Sequence, residues 1–188
     1  MTDNELIGVL ALQMENALAL RTDWRYKGQP YIVEQANQPT QQGMPYGPMA
    51  TFTKLYDRKY GWSMGGDFTY DESNDLFIDQ ENQIIETTFQ IEAFVIQDPE
   101  DLSIPTASDV VLYLSQYLAH RSIVKSVLEN TGAGIVRVTD VRNPYFEDDR
   151  HRNEASPNFD ITMSYTRTLA LTVPAVHKVV PKILPVLP

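Results

Sequence analysis

Asn158-Phe159-Asp160-Ile161-Thr162-Met163-Ser164-Tyr165-Thr166-Arg167-Thr168-Leu169-Ala170-Leu171-Thr172-Val173 is the stretch that decides the fold class. Phe159, Ile161, Met163, Tyr165, Leu169, Leu171 and Val173 alternate with Asp160, Thr162, Ser164, Thr166, Thr168 and Thr172. A period of two with β-branched and aromatic residues predicts a long, half-buried antiparallel strand with one wet face. Phe159, Ile161, Met163, Leu169 and Leu171 are expected inside, with Thr162, Ser164 and Thr168 more exposed. Arg167 interrupts the inner row and is expected near an edge or an interface.

Upstream, residues 134–142 read as a strand with Val136 and Val138 inward. A polar connection then follows from Asn143-Pro144 to Pro157. Residues 106–129 predict one helix, opened by the capping-box pair Thr106 and Asp109 and closed by Asn130-Thr131-Gly132. Its buried stripe is Val110, Leu114, Tyr117, Leu118, Val124, Val127 and Leu128. Residues 84–97 predict a strand with Phe89, Ile91, Ala93 and Val95 on one side and Thr88, Gln90 and Glu92 on the other. In 67–83 only Phe68, Tyr70 and Leu76-Phe77-Ile78 suit burial. Residues 50–60 alternate as a strand with Phe52, Tyr56 and Tyr60 on one face, ended by Gly61, and Gly65-Gly66 reads as a turn.

Residues 21–49 carry Gly28, Pro30, Pro39, Gly43, Pro45, Gly47 and Pro48, which argue against regular structure beyond a short strand at Tyr31-Ile32-Val33. Trp24, Tyr26, Tyr31 and Tyr46 in that stretch imply a loop packed on something. Residues 3–20 form an amphipathic helix, capped by Thr2 and Glu5, with Leu6, Leu10, Met14, Ala17 and Leu18 as its stripe. The order α-β-β-β-α-β-β predicts an α+β fold, a mainly antiparallel sheet with two flanking helices. Residues 1–173 are expected to form a single domain. In 174–188 four prolines separate Val176, Val179, Val180, Ile183, Leu184, Val186 and Leu187, which predicts an extended tail that needs a cover.

At 188 residues the chain can bury roughly 70% of its unfolded surface. It has no cysteine, which excludes disulfides, Cys-type metal sites and a thiol nucleophile. The acidic start Met1-Thr2-Asp3-Asn4-Glu5 lacks the basic region of a signal peptide, and a soluble protein is expected. The net charge is −10, and residues 67–101 hold eleven acidic residues with no Lys or Arg, leaving +1 for everything else. Such a chain suits no tight, surface-wide binding of nucleic acid. The segment containing Asp67, Asp71, Glu72, Asp75, Asp79 and Glu81 reads either as a solvated face or as an acidic surface that repels a polyanion or meets a basic partner.

Catalytic signatures are missing. His120, His151 and His177 share no metal-ligand spacing, and His120 is expected at the surface of the long helix. There is no G-x-S-x-G elbow. From Asp71 the sixth and twelfth residues are Leu76 and Asn82, and from Asp67 they are Glu72 and Ile78, so no EF-hand register fits. Gly132-Ala133-Gly134 stands between helix and strand, the reverse of a phosphate loop. Neither an enzyme nor a cofactor or metal site is expected.

The aromatic loop Gln35-Ala36-Asn37-Gln38-Pro39-Thr40-Gln41-Gln42-Gly43-Met44-Pro45-Tyr46-Gly47-Pro48 runs directly into Met49-Ala50-Thr51-Phe52. A Phe/Gln/Ile-rich strand, a long helix and a final strand pair follow. In these features residues 3–173 resemble the tail terminator, or neck, proteins of contractile-tailed bacteriophages, although Gly47-Pro48-Met49 separates Tyr46 from Ala50 where the family runs Pro-Tyr-Ala. The resemblance implies a structural virion protein, a homohexameric ring at the head-proximal end of the tail. Such a ring ends tube and sheath growth and joins tail to head. Implied partners are further copies of the chain, tube and sheath proteins and connector or collar proteins, with DNA only as cargo through the bore and no membrane. The place is the virion neck, assembled in the host cytoplasm. Trp24, Tyr26, Tyr31, Tyr46, Arg167, Val176, Val179, Ile183, Leu184, Val186 and Leu187 are candidate interface residues, and the six carboxylates above are candidates for a bore or solvent face. A head-completion or adaptor protein is the alternative, and a small enzyme a remoter one.

Overall fold

A computed structural model of the chain describes residues 1–36, 47–95, 101, 103–147 and 153–174. Helix α1 (Asp3–Leu20) opens with the expected reciprocal cap: the Thr2 N–H donates to the Glu5 carboxylate at 2.7 Å and the Glu5 N–H to the Thr2 hydroxyl at 3.3 Å. Leu6, Leu10, Met14, Ala17 and Leu18 are buried along one stripe. Strand β1 (Ile32–Gln35) runs parallel to the start of β2 (Met49–Asp71), pairing Ile32 with Met49 and Gln35 with Phe52. Strand β3 (Leu76–Phe94) returns antiparallel to β2. Helices α2 (Ala107–Ala119) and α3 (Arg121–Thr131) follow, then β4 (Gly134–Val138), a small hairpin of β5 (Tyr145–Glu147) and β6 (Asn153–Ala155), and β7 (Asn158–Pro174). The main sheet is ordered β1-β2-β3-β7-β4, and every pairing except β1–β2 is antiparallel. The fold class is α+β, as the sequence predicts.

The core lies between the helices and one face of the sheet. Cross-strand rows such as Phe52–Ile91–Phe159 supply the sheet side. Leu6, Leu10, Val110, Leu114 and Leu118 supply the helix side. The opposite face is polar, with the hydroxyls of Thr88 and Thr162 in contact at 3.1 Å.

Several expectations need correction. The helix over 106–129 is two helices. His120 breaks it with extended backbone (φ −68°, ψ 130°), and its ring nitrogen accepts from the Ser122 N–H at 3.4 Å. The restart changes the helical phase, so Val127 stays buried while Leu128 is exposed. In β4 a bulge between Ile135 and Arg137 makes Val136 the extra residue and turns it outward; Ile135 and Val138 pack on the core instead. The polar connection 143–157 contains the β5–β6 hairpin. Gly61 does not end the second strand, and Gly65-Gly66 is no turn: β2 runs through all three to Asp71, and β3 begins at Leu76, well before residue 84.

The largest correction concerns β7. Phe159, Ile161, Met163 and Tyr165 are buried as expected, but Leu169, Leu171 and Val173 are exposed. Seventeen residues of strand span about 56 Å, whereas the 18 residues of α1 span about 27 Å. The strand outruns the helices that would cover it.

Candidate assembly interface

Beyond residue 165 the sheet continues as a three-stranded antiparallel arm, formed by the distal halves of β2 and β7 flanking the proximal half of β3. The register between β3 and β7 is unbroken from Leu76↔Pro174 to Glu92↔Asn158. Paired residues share a face, so the rows Phe68–Asp79–Leu171 and Tyr70–Phe77–Val173 lie on the side that carries the core rows nearer the body. Phe68 stacks on Phe77 at 4.9 Å, and Tyr70 lies 5.0 Å from the same ring. The stripe is thus an extension of the core face with no element over it among the described residues. Phe68 is 60% exposed and Leu171 54%.

The β2 edge of the arm is irregular. Register shifts fall between Tyr60 and Met64 and between Gly65 and Phe68. Gly61 takes the left-handed backbone (φ 70°) that the first irregularity needs. At Gly66 a Cβ would come within 2.9 Å of the Gln80 carbonyl oxygen, so only glycine lets the two backbones approach. Between these points Trp62 stands almost fully in solvent, 96% exposed, with Tyr60 and Met64 exposed beside it.

The tip is acidic. Asp71 accepts from the Ser73 N–H (3.0 Å), the Ser73 hydroxyl (2.6 Å) and the Asn74 amide (2.9 Å), and these bonds hold its carboxyl below the ordinary range. The Tyr70 hydroxyl donates to Asp75 at 2.7 Å. Asp71, Glu72, Asp79 and Glu81 form no ion pair among the described residues. The candidate carboxylates therefore gather on the arm: Asp67 within β2, Asp71, Glu72 and Asp75 at the turn, Asp79 and Glu81 on the apolar face.

At the arm's base Lys54 contacts Asp3 at 2.7 Å and Asp57 at 2.8 Å, and the Thr87 hydroxyl donates to Asp57 at 2.7 Å. Burial alone would depress the Lys54 ammonium and raise the Asp57 carboxyl. The hydrogen bonds outweigh it, so Lys54 is held above and Asp57 below its usual range. The N-terminal ammonium donates to the Thr166 carbonyl at 3.2 Å. A groove of about 580 Å³ lies here, and Arg167 on its wall sits on the arm's apolar face, opposite Gln83.

The remaining candidates scatter. Trp24 and Tyr31 are buried in the subunit's own core, Trp24 edge-on to Tyr113 at 5.2 Å with the Arg21 guanidinium 3.7 Å above its ring. They leave little surface for a neighbour. Tyr26 is half-buried at the same end of the molecule. Tyr46, Val176, Val179, Ile183, Leu184, Val186 and Leu187 lie outside the described residues, as do His151 and His177. The sequence reading puts Tyr60 on one face with Phe52 and Tyr56, but the register shift between Lys54 and Tyr56 leaves Phe52 buried and Tyr56 and Tyr60 exposed; it missed Trp62 and Met64, although the period of two continues through them across Gly61. Among the described residues no group of three or more His, Asp or Glu could hold a metal ion, and no helix is long and apolar enough to cross a membrane.

No curated protein matches the chain. Among solved structures it is similar to the sheath/tube terminator of PVC, an extracellular contractile injection system, in its extended state. That likeness has 14% identity and a TM-score of 0.39, and covers 99% of this chain and 64% of that one. The family model described as E217 gateway protein gp29 matches residues 5–175, from the first turn of α1 to just past the end of β7. By that match over both the body and the arm, the chain belongs to the E217 gateway protein gp29 family.

Proposed function

We propose that the chain forms a homohexameric ring at the head-proximal end of a phage tail, where it ends tube and sheath growth and joins the tail to the head. The observation that carries this reading is the arm: a sheet extension whose apolar face continues the core rows and has no element over it among the described residues. A monomer gains nothing from such a face, whereas a subunit of a larger assembly buries it. Membership of a family described as a gateway protein supports a place at the joint through which DNA passes. Tube, sheath and connector or collar proteins are the partners, and DNA crosses the bore as non-specific cargo, kept from sticking by carboxylates of the acidic segment. The protein then acts in the virion neck after assembly in the host cytoplasm. Residues 1–173 serve as one domain, and 174–188 as an extended clasp for a neighbouring chain.

Disrupting the gene in its phage and imaging the particles tests the reading. Tails or sheaths of uncontrolled length beside unattached filled heads are expected. Tails of normal length beside unattached heads would transfer the protein to the adaptor role, and intact particles would end both.

A further inference from the structure

We propose that the arm docks on a second copy of this chain, at the end of the body farthest from it. This rests on the ring reading and adds which surfaces meet. Asp3 at the start of α1 is tied to Lys54 at the arm's base, and α1 then runs about 27 Å away from it. Its C-terminal end and the following loop lead to β1, which pairs with Met49 to Phe52, the end of β2 opposite the arm. That corner presents exposed Leu20 and Lys27 beside half-buried Arg25 and Tyr26. Arg21 is matched by Asp23 at 2.6 Å, but Arg25 and Lys27 form no ion pair among the described residues. Arg25 donates to the Ala19 carbonyl at 3.3 Å, and the Lys27 ammonium lies 5.1 Å from the Tyr26 ring.

The two ends complement each other. The arm offers Phe68, Leu169 and Leu171 among the carboxylates Asp79 and Glu81, with Arg167 nearer its base; the corner offers Tyr26 and Leu20 together with the cations Arg25 and Lys27. Docking two arms face to face would oppose like charges beside a desolvated stripe, which disfavours a symmetric dimer. Head-to-tail contact pairs unlike charges, uses different patches on the two copies, and closes into a ring when the rotation allows.

The test uses the full chain in native mass spectrometry and sedimentation, with melting temperature as the folding control. The wild type should assemble. Leu171→Asp should stay folded, because its side chain contacts solvent in the subunit, and should weaken assembly about 100-fold or more. The reversals Asp79→Lys with Glu81→Lys, and Arg25→Glu with Lys27→Glu, should each weaken assembly, and mixing the two proteins should restore a contact between unlike copies. Wild-type-like assembly of Leu171→Asp, or no recovery on mixing, overturns the proposal. So does a wild type that stays monomeric alone yet binds purified tail tubes, a result that would leave the neck role standing. Absence of the protein from purified tails would instead remove the neck role, whatever the copies do to one another.

Discussion

Lys54 on β2 reaches Asp3 in the first turn of α1 at 2.7 Å and Asp57 on its own strand at 2.8 Å, so one ammonium ties the body to the root of the arm. The cluster has a definite pH signature. Asp57 is held below its ordinary value, so its contribution is fully present above that value and is lost as pH falls through the lower folded one. The melting temperature should decline on acidification from about pH 4 downward, and Asp57→Asn should flatten that decline. An unchanged acid limb in the variant would detach Asp57 from the stability of the joint.

Glu92 should behave in the opposite sense. It sits on the polar face of β3, opposite Thr51 and Asn158, and forms no ion pair among the described residues; burial alone raises its carboxyl. Its ionisation therefore works against folding as pH rises through and above the ordinary carboxylate value. Glu92→Gln should raise the melting temperature at pH 7 and leave it unaltered near pH 4. Equal shifts at both pH values would point to packing instead of charge.

Two leucines separate body from arm. Leu118 on α2 is 0% exposed, and Leu118→Ala should cost about 2–5 kcal/mol in denaturant titrations, from lost transfer energy and the cavity left behind. Leu171→Ala in the unassembled subunit should cost under about 1 kcal/mol, because its side chain is already largely in water. Comparable losses at both sites would mean that the arm is covered within the subunit.

Neighbouring glycines offer a matched pair. An added methyl at Gly66 meets the Gln80 carbonyl oxygen at 2.9 Å, whereas at Gly65 nothing lies within 4 Å. Gly66→Ala should force β2 and β3 apart and cost about 1–3 kcal/mol. Amide exchange should quicken around residues 64–82 while the core helices keep their protection. Gly65→Ala should be close to neutral. Unchanged exchange in Gly66→Ala would show that the bulge tolerates a side chain.

Local chemistry made much of this protein legible in its sequence. The two capping boxes, at Thr2–Glu5 and Thr106–Asp109, act within four residues, and the periods of α1, β3 and the first half of β7 report a face buried by any partner element. What the sequence could not carry is where cover stops. Leu169 and Leu171 repeat the pattern of Ile161 and Met163, yet the first pair stands in solvent and the second in the core, because alternation sets which face a side chain takes and only the length of the opposing helices sets whether that face is covered. Trp24 and Tyr31 show the converse. Their loop carries no period that could place them, and only its packing against α2 and the sheet puts them inside. The glycines at 61, 65 and 66 read as strand breakers one residue at a time; pairing with the antiparallel partner β3 on both sides of the two irregularities keeps β2 in the sheet past them, and such a partner is a property of the tertiary fold.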